Sequence, residues 1–208
     1  MRPVRGWGVQ IAALLLSSTA LAACGGDGPS PAAGDPLHYL ITLDQLVAPG
    51  FTITTPAAHV DTTALGEGDA ALASALAAEG LRSAARVEYQ RSVDFGTSNG
   101  PIDIVATVER FAGAAGASSA YATTVRRLDA TQGAVPTSTG PLGDEAHSIS
   151  VVRTTSGGLQ AVEITVVWRV DNLVNLIIAR GRYGGTRLDD ALILAGLQAQ
   201  NEAGAGSG

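Results

Sequence analysis

The chain has 208 residues, of which 46% are hydrophobic, and its formal net charge is −6. This length allows one domain or at most two. All 13 basic residues are arginines and are outnumbered by 19 acidic residues, so the charge balance argues against a basic surface for phosphate backbones, and we expect no nucleic-acid partner.

The chain begins with the pattern of an export signal. Arg2 and Arg5 provide positive charge ahead of residues 9–23, which are apolar or small with few exceptions. A run of about 15 residues is shorter than the roughly 20 needed to cross a bilayer, but it is typical of the hydrophobic region of a signal peptide. We therefore predict export rather than a membrane-spanning helix in this segment.

The apolar run ends in Leu21, Ala22 and Ala23, which are followed directly by Cys24. This order resembles the lipobox of bacterial prolipoproteins, in which small residues mark the cleavage site and the cysteine thiolate accepts a diacylglyceryl group. The resemblance implies a signal peptide over residues 1–23 that is cut before Cys24. The alternative is an ordinary secretory signal followed by an unrelated cysteine.

Cys24 is the only cysteine in the chain. Lipidation would turn its thiol into a thioether, so the exported protein would have neither a free thiol nor a disulfide. One acyl chain binds a bilayer only reversibly, whereas two or three hold a protein durably. We therefore expect Cys24 to anchor the protein, through membrane lipid, on the outer face of the cell membrane.

Both flanks of the predicted domain are poor in large apolar residues. Residues 24–36 are rich in glycine and proline and are predicted to form a flexible tether. Residues 201–208 are mostly Gly, Ala and Ser and are predicted to be a disordered tail. The folded domain is therefore predicted over residues 37–200, a length that can bury roughly 70% of its unfolded surface.

The first elements of that domain are a possible short strand at 37–42 and a strand at 51–55 that ends before a proline. Asp69 is placed to cap the start of a helix that runs through Glu79. Gly80 follows this helix and gives it a natural C-terminal stop.

The middle of the chain is predicted to contain a hairpin and a second helix. Apolar alternation predicts strands at 85–95 and 102–109, separated by a turn-forming cluster. An apolar stripe at helical spacing predicts a helix over 114–129. Residues 133–143 are then predicted to be a connection, and residues 149–151 to mark the next strand.

Residues 162–170 show the clearest alternation of the chain and are predicted to be a strand. Asp171-Asn172 fits a two-residue hairpin turn because both residue types tolerate positive φ. The returning strand at 173–179 is apolar on both faces, which predicts a central position with cover on both sides. A final helix is predicted from about residue 186 to 200.

The predicted order is β-α-β-β-α-β-β-β-α, and tight turns between consecutive strands predict an antiparallel sheet with helices packed on it, an α+β domain. This order over residues 85–200, with the segment Pro141-Leu142-Gly143-Asp144-Glu145-Ala146, resembles small lipoproteins of high-GC Gram-positive bacteria and the extracellular sensor domains of membrane kinases. The resemblance implies a helix-covered sheet of the Mog1/PsbP-like type and a role in binding or sensing. It carries over no catalytic residue.

One polar cluster could carry chemistry. Asp144, Glu145 and His147 offer two carboxylates and an imidazole, which suit a metal site or the acid–base groups of a hydrolase. Ligands this close in sequence need a fourth from elsewhere, for which His38 and His59 are available. We favour the alternative, a polar loop in which Asp144 caps a turn and His147 starts a strand. We accordingly predict no metal, no cofactor and no catalytic residue.

Three functions remain open on the sequence alone. The favoured one is a non-catalytic binding or sensing module whose partner is an unknown ligand or envelope protein. The first alternative is a carrier of a lipid or another apolar ligand, which requires a continuous apolar cavity. The second is a hydrolase, which requires Asp144, Glu145 and His147 to converge in a pocket.

Overall fold

A computed structural model of the chain describes residues 32–46, 48–66 and 68–205. The predicted signal peptide, its cleavage site and Cys24 lie outside the described residues.

The described residues form seven strands and four α-helices. The strands are β1 Phe51–His59, β2 Leu81–Arg91, β3 Asp103–Phe111, β4 Ala134–Thr137, β5 Glu145–Thr154, β6 Gln160–Val170 and β7 Leu173–Arg182. The helices are α1 Thr62–Gly66, α2 Ala70–Ala78, α3 Ala114–Asp129 and α4 Leu188–Ala205, and two short 3₁₀ helices at Pro36–Tyr39 and Leu43–Gln45 precede them.

All seven strands form one antiparallel sheet in the order β1-β2-β3-β7-β6-β5-β4. The predicted α+β class is therefore confirmed. So is the central position of β7, which has three strands on each side. Asp171 adopts a φ of 51° in the two-residue turn that leads into β7, as the Asp-Asn pair predicted.

The sheet separates two hydrophobic cores. The larger core lies under α4 and the first 3₁₀ helix, where Trp168 and Ile177 are fully buried. The smaller core lies under α2 and α3 and includes Phe111 and Val174. The two cores use alternate residues of the same strands because successive side chains of a strand point to opposite faces.

The helix predictions agree closely with the structure. The Asp69 carboxylate accepts hydrogen bonds from the backbone N–H groups of Ala71 and Leu72, at 3.0 and 3.1 Å, and so caps α2. The helix α3 has the predicted bounds.

The prediction of a strand at 37–42 is wrong. The chain instead forms the 3₁₀ helix Pro36–Tyr39, in which the Asp35 side chain accepts a hydrogen bond from the Leu37 N–H. An Asp followed by Pro suits the start of a helical turn, because the carboxylate accepts a free N–H and proline needs none. The next residues, Leu40 and Ile41, are both buried, so the alternation that a half-buried strand requires is absent.

Three other elements differ from the prediction. The strand β1 continues through Pro56 to His59, which is possible because an edge strand does not need every N–H for pairing. The short edge strand β4 lies within the predicted connection 133–143. The helix α4 runs to Ala205, into the predicted tail, and Asn201 Nδ2 donates to the backbone oxygen of Leu40 at 2.9 Å.

Candidate functional site

A cleft of about 560 Å³ lies on the sheet face that carries α2 and α3. Its 17 lining residues come from α1, α2, the α3 region and strands β2, β3, β6 and β7; they are Leu65, Leu72, Leu76, Arg86, Val105, Thr107, Glu109, Thr124, Arg127, Leu128, Ala130, Thr131, Glu163, Thr165, Leu176, Ile178 and Arg180. Nine of the 17 are polar or charged, so the cleft is amphipathic.

The floor of the cleft is formed by the two central strands. Val105 pairs with Ile178 across β3 and β7, and Thr107 pairs with Leu176. Leu176 and Ile178 are only half-buried, whereas their neighbour Ile177, on the opposite face, is fully buried. The prediction that β7 is covered on both sides therefore holds for one face, while the cleft leaves part of the other uncovered.

The cleft is closed at the end where the carboxyl end of α2 meets the start of α3. Gly116 of α3 approaches the backbone oxygen of Glu79 so closely that a Cβ would overlap it. The Glu79 carboxylate also accepts hydrogen bonds from Ser119 Oγ at 2.8 Å and Thr123 Oγ1 at 3.3 Å. These contacts lock the two helices together, and the smaller core fills the space beneath them.

Glu109 reaches into this closed end from β3. Its Oε2 atom is buried and has no hydrogen-bond partner. Burial, together with the nearby charge of Glu79, raises the pKa of Glu109 to about 7. Glu109 is therefore a carboxyl group that can gain or lose a proton near neutral pH.

The opposite end of the cleft reaches solvent and is marked by paired charges, whose side chains are 26–47% exposed. Arg180 lies between two carboxylates, with Nη1 2.8 Å from Asp103 Oδ1 and Nε 2.6 Å from Glu163 Oε2. Arg127 of α3 reaches Asp69 at the start of α2, with 3.5 Å between Nη2 and Oδ2. The rim therefore offers fixed charges of both signs to an incoming ligand.

The polar cluster considered from sequence lies elsewhere and does not converge. Asp144 Oδ2 and Glu145 Oε1 both bind Arg169, at 3.1 and 2.9 Å. His147 Nε2 instead contacts Asp129 Oδ1 at the end of α3, at 2.8 Å. The two carboxylates thus share Arg169, while the imidazole has a different partner. This geometry gives the hydrolase interpretation no support.

The remaining histidines do not complete a metal site. His59 Nε2 lies 3.3 Å from Asp35 Oδ2, and His38 is exposed on the first 3₁₀ helix. Within the described ranges, no group of three or more His, Cys, Asp or Glu side chains is placed to hold a metal ion.

The segment around Asp144 holds a part of the sheet that is distant from it in the chain. The Asp144 N–H donates to the backbone oxygen of Arg169, and its carboxylate accepts the N–H of Asp171, both at 2.8 Å. Leu142 packs against the larger core. Gly143 has a φ of 61°, and a Cβ there would overlap the Arg169 oxygen. The segment therefore clamps the β6–β7 hairpin.

Sequence reasoning missed the cleft. Its lining consists of residue types that are common in strands and helices, and no motif marks them. The usable signal was the polar residues Thr107 and Glu109, which alternate with buried apolar residues of β3. In the structure these two residues lie on the second, partly covered face of the sheet.

Comparison with protein-family models finds no match, and comparison with curated proteins finds none. Among solved structures, the fold is similar to the crystal structure of the extracellular domain of PknH from Mycobacterium tuberculosis. The TM-score is 0.55 at 12% sequence identity, and the similarity covers 80% of this chain and 93% of that one. The likeness shows a shared fold, a helix-covered sheet that also occurs in an extracellular domain.

Within the part of the chain that the structure describes, no helix is long and apolar enough to cross a membrane.

Proposed function

We propose that this protein is a lipid-anchored, extracytoplasmic module that binds a small ligand in the cleft between α2 and α3 and performs no chemistry on it. The observation that carries the proposal is the cleft itself, an opening of about 560 Å³ over the central strands of a well-packed sheet. A volume of several hundred Å³ lies in the range of small-molecule sites.

The composition of the cleft favours an amphipathic ligand. Val105, Leu176 and Ile178 offer an apolar floor, while Arg180 and Glu163 offer charge at the rim. A carrier of acyl chains requires a continuous apolar cavity, and the polar residues that interrupt this lining weigh against it. The shared fold with an extracellular domain supports the proposed location.

Filling the cleft is expected to weaken ligand binding strongly. The probe is 1-anilinonaphthalene-8-sulfonate, an amphipathic dye whose fluorescence rises in apolar sites, added to the chain from Cys24 onward. Ile178→Trp places an indole on the cleft floor, and we expect it to weaken dye binding at least tenfold. Ile193→Trp is the matched control, because Ile193 is 53% exposed on α4.

Equal dye binding by the parent chain, Ile178→Trp and Ile193→Trp would contradict the cleft as the binding site. Thermal unfolding of both variants checks that the sheet remains folded.

The anchor is tested separately at Cys24. Cells that express the full chain are labelled with a clickable palmitate analogue and fractionated. We expect label on the protein and retention in the membrane fraction. Cys24→Ala is expected to lose the label and to leave the membrane. Unchanged membrane retention of Cys24→Ala would show that something other than lipid on this residue holds the protein.

A further inference from the structure

The last part of the predicted tether, which spans residues 24–36, is fastened to one end of the sheet and is not free. We call residues Ala32–Asp35 the strap. Ala32 N–H donates to Asn172 Oδ1 at 2.7 Å, and Asn172 Nδ2 donates back to the Ala32 backbone oxygen at 3.2 Å. Asn172 lies in the β6–β7 turn and is itself buried, 3% exposed. It also donates to the Phe111 oxygen at 3.0 Å, so its amide is held in place.

Two further contacts continue the strap across the same end. Arg110 Nη1 donates to the backbone oxygen of Ala33 at 3.0 Å. At its far end the strap reaches β1, where Asp35 Oδ2 lies 3.3 Å from His59 Nε2. Arg110 is near the last residue of β3 and His59 is the last residue of β1. The strap therefore crosses the ends of β7, β3 and β1 in turn.

The cleft has a fixed direction relative to the strap. Its closed end, with Glu109, is two residues from Phe111 at the strap end of β3. Its open rim contains Arg180 and Glu163, and Arg180 pairs with Asp103, the first residue of β3. Asp103 and Glu109 mark these ends on β3, and their six-residue separation is roughly 20 Å at about 3.4 Å per residue.

We infer that the strap fixes how the domain stands on the membrane, with its own end of the sheet toward the bilayer and the open rim of the cleft away from it. This rests on the proposed anchor at Cys24. Only residues 24–31 then lie between the lipid and the strap, and eight residues span at most about 28 Å. A cleft that opens away from the bilayer takes its ligand from the aqueous exterior and not from membrane lipid.

The test measures the height of two labels above a bilayer. The full, lipidated chain is purified from membranes and reconstituted in phosphatidylcholine vesicles that carry a nitrobenzoxadiazole acceptor on a fraction of the headgroups. A coumarin maleimide donor is placed at one introduced cysteine, which is unique because lipid blocks Cys24. Arg82→Cys is exposed at the strap end and Ser156→Cys is exposed in the β5–β6 turn at the opposite end.

We expect strong energy transfer from position 82 and at least threefold weaker transfer from position 156. Asn172→Ala removes the strap's central contact and is expected to bring the two values together. Asn99→Ala, at the opposite end of the sheet, is the matched control and should preserve the difference. Ala32→Pro deletes the strap's N–H donor outside the sheet, so it tests the same contact if Asn172→Ala does not fold.

Three outcomes count against the inference in different ways. Equal transfer from positions 82 and 156 in vesicle-bound protein overturns the orientation and leaves the anchor and the cleft standing. A preserved difference in both Asn172→Ala and Ala32→Pro shows that the strap does not set the orientation. Protein that fails to float with the vesicles overturns the anchor itself, and the orientation with it.

Discussion

Replacement of Gly143 by alanine is expected to lower the free energy of unfolding by roughly 3 kcal/mol or more. Gly143 has a φ of 61°, where an L-residue costs about 1–2 kcal/mol. In addition, the new Cβ would overlap the backbone oxygen of Arg169 and crowd the side chains of Val170 and Trp168. The chain must then move the clamp away from the β6–β7 hairpin or strain it.

Gly140→Ala is the matched control. Gly140 has a nearly equal φ of 65°, but no atom lies within 4 Å of the position that its Cβ would occupy. It should therefore show only the conformational cost of about 1–2 kcal/mol. Urea unfolding of the chain from Cys24 onward, followed by the fluorescence of Trp168, measures both. Equal losses in the two variants would mean that the close approach at Gly143 is not what holds the clamp.

The clamp also explains why the segment around Asp144 looked like a site in the sequence. A run of Asp, Glu and His has the composition of a metal or acid–base cluster. Once β5 forms, however, Glu145 and His147 are committed to the partners that their strand positions bring near, Arg169 and Asp129. Those partners are 24 and 18 residues away in sequence, and local spacing carries no information about them.

The central sheet was predictable because its strands are long and the residue types along them indicate which side chains lie on each face. The alternation over β6 and the apolar faces of β7 were enough to predict a hairpin at the centre of the sheet. Edge elements follow weaker rules, since they form fewer ladder bonds. Pro56 therefore misled the prediction for β1, and β4 was hidden in a segment whose composition is that of a loop.

The cleft could not be predicted because it is a space that the packing of the helices on the sheet leaves unfilled. Its existence depends on α2 and α3 being in contact at Gly116 and Glu79 while Leu176 and Ile178 remain partly uncovered further along the sheet. Neither fact is encoded in the local pattern of any one element. Both follow from the packing of helices that are far apart in the chain.

Glu202→Gln is expected to make the protein more stable at alkaline pH and to remove a large part of its pH dependence. Glu202 lies on α4, and both of its carboxylate oxygens are buried without a well-aligned hydrogen bond. Burial raises the pKa of Glu202 to about 8, although the nearby side chain of Trp168 acts to lower it. A glutamine has the shape of the protonated acid and carries no charge at any pH.

The sign of the effect follows from proton binding. The ordinary pKa of a glutamate is 4.5, and the pKa of Glu202 in the folded chain is about 8. Between these two pH values the folded chain keeps the Glu202 proton, whereas the unfolded chain has released it. The folded state then binds more protons, so stability falls as pH rises through this window and is constant on either side of it. At about 1.4 kcal/mol per pKa unit, the loss over this window is on the order of 5 kcal/mol.

Glu109 contributes a second loss of stability with rising pH, which ends at a lower pH than the loss from Glu202. Because the pKa of Glu109 is raised to about 7, its part of the loss ends about one pH unit earlier than that of Glu202. In Glu202→Gln alone, the free energy of unfolding should therefore still fall between pH 4.5 and 7. In Glu109→Gln alone, it should fall from pH 4.5 to about pH 8. The double variant is expected to have a nearly flat profile over both windows.

Urea unfolding at steps between pH 4 and 9 separates these contributions. Glu145→Gln is the control. It also removes one carboxylate, but the side chain of Glu145 is 43% exposed, so the removed charge is not a buried one. We expect that variant to follow the parent profile. If Glu202→Gln matched the parent at pH 9, the Glu202 carboxylate would have to be solvated or paired when ionised. The end of α4 would then open toward solvent at alkaline pH instead of remaining packed against Trp168.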